Sequence, residues 1–417
     1  VQNRISPGRE WEPLEGLDLP KEKITSFLKS VPFKQQGTRR FSDIRLDVPK
    51  IPLPKGKDSL STQEGFGRIL ADLARSKAEL VDRLVTTSPD VTVSTNLGGW
   101  VNRRGIFSRT PIPGSRQESE VKSFQKWEQH PSGQHFELGI AENNLFLMLA
   151  AMGLSHELFG TRLIPVATLY DPFIYRGLDA LNYACYQDAR FILAATPSGI
   201  TLAPEGGAHQ SVGTPLVGMA QDGLAAFEPS YVDELATILE WSFEYIQRDG
   251  SGEDTSEWLR DSWGGSVYLR LSTRPIHQLK RNLSLEQRKA IFEGGYWVFE
   301  PKTGIELALV YFGAVVQEVM EAFKQIREDL PGAGLLAVTS ADRLNAGWQA
   351  AKRSRYHGGS TTVSLVEKLL DPLAGNATLI TVLDGHPATL SWLGGVRGHC
   401  VESLGVEHFG QSGSIDD

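Results

Sequence analysis

Residues Phe191–Gly213 read FILAATPSGITLAPEGGAHQSVG. An apolar β-type run, Phe191–Ala195, breaks into a loop that carries Gly199, Gly206 and Gly207. The loop presents one acid, Glu205, and one imidazole, His209. In open α/β sheets ligands gather in the loops at the carboxyl ends of strands, and this segment has that form. The glycines allow backbone to approach a ligand closely, and a carboxylate beside an imidazole can handle protons or hydroxyls. Either group alone is equally at home in an ordinary turn.

Outward from this loop the chain alternates helical and strand patterns. Ser61–Val85, STQEGFGRILADLARSKAELVDRLV, places Phe66, Ile69, Leu70 and Leu73 at helical spacing and opens on a capping box, Ser61 to Glu64. A short strand, VTVS (91–94), and a glycine-rich loop, TNLGGWVNRRG, are predicted next. AENNLFLMLAAMGL, LIPVATL, DPFIYRGLDALNYACYQ, YVDELATILEWSFEYI and SVYLRLS (266–272) continue the alternation. After the polar stretch RPIHQLKRNLSLEQRK a second α/β unit follows, with ELALVYFG (306–313), GAVVQEVMEAFKQI, LLAVTS (335–340) and TLITVLDG (378–385). The pattern predicts an α/β protein of two doubly wound domains with mainly parallel sheets. The boundaries fall at 59–278 and 290–417, and the proline-rich segment 1–58, with VPKIPLPK, is expected to be an extended linker arm.

Bulk properties agree. A chain of 417 residues is long enough for two or three domains at about 150 residues each. Hydrophobic residues at 41% and charged ones at 22% are globular values. The net charge of -8 without a long basic run argues against nucleic acid and anionic membrane as partners. Cys185 and Cys400 are expected to be packed thiols in a reducing compartment. No apolar run reaches membrane-spanning length and VQNRISPGREW has no signal-peptide core, so a soluble cytoplasmic protein is expected. Val1 in place of Met, and Ser414 with two following acids as a helix start without a helix, point to a processed or truncated chain.

Two more segments could carry chemistry. In FELGIAENNLFLMLAAMGL, Glu142 stands at the mouth of an apolar helix. The helix dipole alone would favour an acid there; backed by Leu145, Phe146 and Met148, its carboxyl could also share a proton with a ligand nitrogen. In TLYDPFIYRGLDALNYACYQ, Asp171 as N-cap and Pro172 at the first helical position start a helix. Tyr170 and Phe173, three apart, either pack in the core or form one aromatic wall. His386 and His399 are read as structural or interfacial, and His130, His135, His156, His277, His357 and His408 show no metal-ligand spacing. No metal ligand is expected in this chain.

The order of these signals is more specific than any one of them. GIAEN, then the aromatic pair at a helix start, then EGGAHQ after the next strand, resembles the pyrimidine-binding domain of thiamine-diphosphate enzymes of the transketolase superfamily. Within it the segment RGLDALNYACYQDARFILAATPSGITLAPEGGAHQ looks like the homodimeric-type pyruvate dehydrogenase E1 component. TSADRLNAGW and DGHPATLSWLGGVRGHCVESLGVEHFGQSG look like that family's C-terminal domain. The resemblance runs from about Ser59 to the end of the chain.

The resemblance implies thiamine diphosphate as cofactor and assigns residues to it. Glu142 matches the glutamate that hydrogen-bonds the aminopyrimidine N1′. Phe173 matches the aromatic that stacks on that ring, with Tyr170 beside it, and Asn96 and Leu97 fall where the family approaches the cofactor from the side. His209 matches the active-site histidine, and Glu205 stands where relatives place an acid near the substrate. The implied reaction is decarboxylation of a 2-oxo acid, pyruvate first, with acyl transfer to a lipoyl group on an E2 partner. Transketolases carry a second histidine where this chain has Thr196-Pro197, which makes the rival, ketol transfer between phosphosugars, the weaker expectation. The familiar dehydrogenase loop has further acid and histidine residues where this one runs Gln210-Ser211-Val212-Gly213. A non-catalytic assembly subunit is the reading from a different class.

One family element has no counterpart. A Gly-Asp-Gly run followed by Asn-Asn holds the diphosphate and its Mg²⁺ in the superfamily. Here Asp222-Gly223, Asp249-Gly250 and Asp384-Gly385 lack both the preceding glycine and the pair. The diphosphate and Mg²⁺ are therefore expected on a diphosphate-binding domain, either an α-type subunit or sequence upstream of Val1. A dimer or α₂β₂ assembly follows from that.

Overall fold

The computed structural model describes residues 4–12, 14–16, 20–31, 44–111, 127–250, 259–358 and 362–414. Contacts divide the chain into two units, Val1–Ile44 with Leu154–Arg162, and Arg45–Gly153 with Leu163–Asp417. The first contains a helix, Lys21–Ser30, within the arm expected to be extended throughout. KEKITSFLKS has no proline, and Glu22 in its first turn and Lys29 in its last complement the helix dipole.

The second unit holds two large sheets and a two-stranded one. β1 (Ser59–Leu60) precedes an eight-stranded sheet made of β2 (Leu84–Ser88), β3 (Ile106–Phe107), β4 (Gln129–His130), β5 (His135–Glu137), β6 (Ile164–Leu169), β7 (Ile192–Ala195), β8 (Leu224–Phe227) and β9 (Ser266–Arg270). Its order is β4-β3-β5-β2-β6-β7-β9-β8 and every described pairing is parallel. The central strands are buried along their whole length, which is why IPVATL and ILAA are continuous runs without polar alternation. β10 (Ile276–His277) returns to pair antiparallel with β1. The second sheet comprises β11 (Gly295–Phe299), β12 (Ile305–Phe312), β13 (Gly334–Val338), β14 (Leu373–Leu383) and β15 (Cys400–Leu404), in the order β11-β13-β12-β14-β15. Only β11 runs antiparallel.

Three local expectations are corrected. VTVS (91–94) is turn, not strand; the strand is LVTTS, Leu84–Ser88, at the end of a stretch that reads as helix. β-branched Val85, Thr86 and Thr87 suit a buried central strand, Pro89 stops it, and Asp90 at φ 65 turns the chain. Ser61 caps the helix Thr62–Leu73 by accepting from Glu64 N at 3.0 Å, but the Glu64 carboxylate goes to Lys57 and Arg68 at 2.6 and 2.7 Å instead of closing the box. Of the free cysteines, Cys185 is packed and burial pushes its thiol up to about 12, whereas Cys400 on the outer strand β15 is exposed. Among the described residues no helix is long and apolar enough to cross a membrane.

The sheets join at β8. Ala226 N donates to Asp342 Oδ2 at 3.0 Å, Ser340 Oγ donates to Ala226 O at 2.5 Å, and Glu228 N donates to Thr339 O at 2.9 Å. The loop after β13 is thereby fixed to the edge of the large sheet, beside the end that carries the candidate residues.

Candidate active site

The residues singled out in the sequence follow the carboxyl ends of adjacent parallel strands. Glu142 follows β5, Tyr170 and Phe173 follow β6, Glu205 and His209 follow β7, and Asn96 and Leu97 follow β2. Parallel strands aim all their carboxyl ends at one edge, so separate loops converge there.

Asp171 does not cap a helix as expected. Tyr170 is the N-cap of a 3₁₀ turn, Asp171–Gly177, that leads into the α-helix Leu178–Tyr186. In a 3₁₀ turn residues three apart eclipse one another, and this one makes a column of Tyr170, Phe173 and Arg176. Tyr170 and Phe173 stack with centroids 5.8 Å apart and planes 11° from parallel. The Arg176 guanidinium covers Phe173 at 3.7 Å from the ring centroid. From the next loop His209 meets Phe173 edge-on at 5.6 Å and 64°.

Glu142 begins the helix Glu142–Gly153, and its side chain is only 8% exposed. Arg176 Nη1 donates to its Oε1 at 2.7 Å. Glu142, Arg176, Phe173 and His209 therefore form one connected cluster: a nearly buried carboxylate, a planar cation, an aromatic face and an imidazole. Among the described residues His209 Nδ1 is buried without a hydrogen-bond partner. An unpartnered buried nitrogen is costly unless a ligand completes it.

The remaining candidates do not join this cluster. Glu205 ends the 3₁₀ segment Gly199–Glu205, exposed, with no ion pair or hydrogen bond among the described residues. Leu97 is fully buried in the core. Asn96, at φ 61, borders a groove of about 490 Å³ lined by Gln63, Glu64, Gly67, Arg68 and Gly99, but by none of Glu142, Phe173 and His209.

Under the cluster lies a buried network absent from the sequence reading. Arg270, the last residue of β9, donates to Asp171 Oδ2 at 2.9 Å and to Glu228 Oε1 at 2.7 Å. Thr214 Oγ1 donates to Asp171 at 2.5 Å, and the Tyr268 hydroxyl donates to its other oxygen. Arg270 also reaches Ser211 O at 3.2 Å, and Ser211 Oγ accepts from Gly199 N at 3.0 Å. One cation thus ties the start of the Phe173 turn to both ends of the His209 loop. Burial pushes the Glu228 carboxyl up, to about 7, against the pull of Arg270. Only the apolar run around Arg270 could have drawn attention to it: SVYLRLS sets a charge inside a buried strand.

The site fits a planar nitrogen heterocycle, since a carboxylate and an aromatic face already hold a planar cation and an orphan imidazole nitrogen adjoins them. Among the described residues no group of three or more His, Cys, Asp or Glu side chains is placed to hold a metal.

Comparison with known proteins places the chain among relatives of one kind. The family described as pyruvate dehydrogenase E1 component middle domain matches residues 51–251. The chain is 28% identical over 201 residues to the pyruvate dehydrogenase E1 component of Corynebacterium glutamicum, covering 48% of this chain and 22% of that protein. It is 25% identical over 308 residues to the corresponding protein of Mycolicibacterium smegmatis, covering 72% and 31%. The chain thus matches less than a third of the length of these two relatives. Transketolase from Leishmania mexicana shares the fold at a TM-score of 0.60 and 17% identity, over 87% of this chain and 43% of that one. A split-gene transketolase, solved as an inactive beta4 tetramer, matches at 0.51 and 18%, over 84% of this chain and 89% of its own.

Proposed function

We propose, for a chain that belongs to the thiamine-diphosphate-dependent pyruvate dehydrogenase E1 and transketolase superfamily, that it supplies the pyrimidine side of a thiamine-diphosphate site. The reaction we assign is oxidative decarboxylation of a 2-oxo acid, pyruvate in the first instance, with acyl transfer to the lipoyl group of an E2 partner. The cluster of Glu142, Phe173 and His209 at one sheet edge carries this reading.

Each residue has a task. Glu142, nearly buried, accepts a hydrogen bond from the ring nitrogen of the aminopyrimidine and holds the proton there. Phe173, backed by Tyr170, fixes the ring plane by stacking. The free Nδ1 of His209 hydrogen-bonds the substrate, and Glu205, exposed on the same loop, lines the approach. When bound, thiamine diphosphate supplies the carbanion stabilisation that no side chain provides. Asn96 is assigned to the rim of the neighbouring groove, and Leu97 to the core that supports it. We place the pyrimidine-binding domain at 59–278 and a transketolase-like C-terminal domain at 290–417.

The diphosphate and Mg²⁺ are assigned to a diphosphate-binding domain or α-type subunit that pairs with this chain in a dimer or α₂β₂ assembly in the cytoplasm. The likeness to a β chain described as inactive in its own tetramer supports that division of labour. Pyruvate-dependent reduction of an artificial electron acceptor tests the whole reading. Assembled with its diphosphate-binding half, thiamine diphosphate and Mg²⁺, the protein turns over pyruvate, and Glu142→Gln lowers turnover about 100-fold or more with an unchanged circular dichroism spectrum. Near-normal turnover in that variant, or activity with pentose phosphates and none with pyruvate, overturns it.

A further inference from the structure

We infer that Arg176 is an internal stand-in for the cofactor's pyrimidine ring, holding Glu142 and Phe173 in register until the ring displaces it. The inference rests on the pyrimidine-site reading above and adds to it a residue that competes for the site.

The argument is geometric. Glu142 has only 8% of its side chain exposed, so its carboxylate needs a donor whether or not a ligand is present. In this structure Arg176 Nη1 is the described donor, at 2.7 Å. The same guanidinium lies over the Phe173 ring at 3.7 Å from its centroid. A guanidinium is flat, cationic and edged with N–H donors, so it offers an acid and an aromatic face the same two contacts as a protonated aminopyrimidine. It makes both at once, and a ligand cannot use the same carboxylate oxygen and ring face while it remains.

Arg176 is also free to leave. Its side chain is 51% exposed, and its described contacts are with Glu142 and Phe173 alone. An ion pair with one partner half in water is weak, and a long side chain released to solvent regains rotamer freedom. The column of Tyr170, Phe173 and Arg176 arises from the 3₁₀ turn itself, so the side chain returns to the same place when the ring departs. Asp171, buried and bonded to Arg270, Thr214 and Tyr268, keeps the turn fixed during the exchange.

The test uses the chain alone and the neutral pyrimidine half of the cofactor, 4-amino-5-hydroxymethyl-2-methylpyrimidine, followed by NMR titration. Arg176→Gln removes the cation while keeping length, and it should bind the pyrimidine about tenfold more tightly than the wild type. Arg176→Lys keeps the charge without the flat face and should fall between. Raising salt from about 0.1 to 0.5 M should tighten binding by the wild type and leave Arg176→Gln unchanged, because salt weakens the competing pair. A residue that merely supported the fold would weaken binding when replaced. Equal or weaker binding by Arg176→Gln overturns the inference, as does absence of pyrimidine binding by every form. Neither outcome bears on the turnover of Glu142→Gln in the assembled enzyme, so this idea and the functional reading fail separately.

Discussion

At the carboxyl ends of β6 and β7, Phe173 and His209 meet edge-on at 5.6 Å, and the imidazole Nδ1 has no partner among the described residues. At the carboxyl end of β14, in the second parallel sheet, Asp384 is buried and gives both oxygens to Ile200 N, at 3.0 and 2.9 Å. Topology makes the two edges equivalent places for a ligand. Polar satisfaction separates them. At the first edge the His209 imidazole keeps Nδ1 unpaired among the described residues; the second uses its acid, Asp384, to hold the loop of the first. Gly199 shows how tight that clasp is, for at φ +60 an added Cβ would stand 2.0 Å from the Asp384 carboxylate. The tail after β15 adds to it, with Ser412 Oγ donating to Pro204 O at 2.9 Å and Gly410 N donating to Gln210 Oε1 at 3.0 Å.

The sharpest way to break this comparison is to remove Arg270. Arg270→Met leaves Asp171 and Glu228 as buried acids without their cation, and breaking a buried pair from one side costs about 3–5 kcal/mol. Urea unfolding should show that loss, while Glu142→Gln at the outer cluster should cost no more than about 1 kcal/mol, the worth of an ion pair with a half-exposed partner. Equal losses at the two sites would erase the distinction between scaffold and site.

Asp384→Ala tests the second edge on its own. It strips both acceptors from Ile200 N, a charge-assisted contact of about 1.5–3 kcal/mol, and frees the segment leading to Glu205 and His209. The expected signature is a modest drop in unfolding free energy together with a fall of about tenfold in turnover, because the loop is misplaced although Asp384 touches no reactant. Unchanged turnover at lower stability would mean the clasp serves the fold alone.

These contrasts also show why part of the molecule was readable and part was not. Continuous apolar runs such as IPVATL and ILAA announce buried parallel strands, so the sheet and its carboxyl edge are legible. Glu142 heading an apolar helix and His209 in a glycine-rich loop are local signals of the same kind. Arg176 was passed over because its position depends on the turn being 3₁₀: at that pitch residues 170, 173 and 176 fall in line, and at α-helical pitch they do not. LVTTS was absorbed into a helical pattern because its helix Glu79–Arg83 runs straight into the strand without a breaker. Asp384 and Arg270 were invisible for a further reason. Their partners lie 184 and 99 or fewer residues away in sequence, and no local pattern encodes such pairings.

A pH-dependent effect concerns Glu228, where the two edges meet. Its Oε1 accepts from Arg270 at 2.7 Å, and its Oε2 is buried without a partner among the described residues. Burial is the largest influence on it and pushes its carboxyl from 4.5 to about 7. The folded chain therefore holds a proton there that the unfolded chain releases near 4.5, so folding binds protons between those limits. Stability from this group is fully present below about 4.5 and is lost as pH rises through about 7. Glu228→Gln cannot titrate, so the stability of wild type relative to this variant should fall between about pH 5 and pH 7. Unfolding curves of the two proteins across that interval give the answer: parallel curves would mean that Arg270 holds Glu228 ionised throughout, and that the scaffold beneath the site is an ordinary buried ion pair.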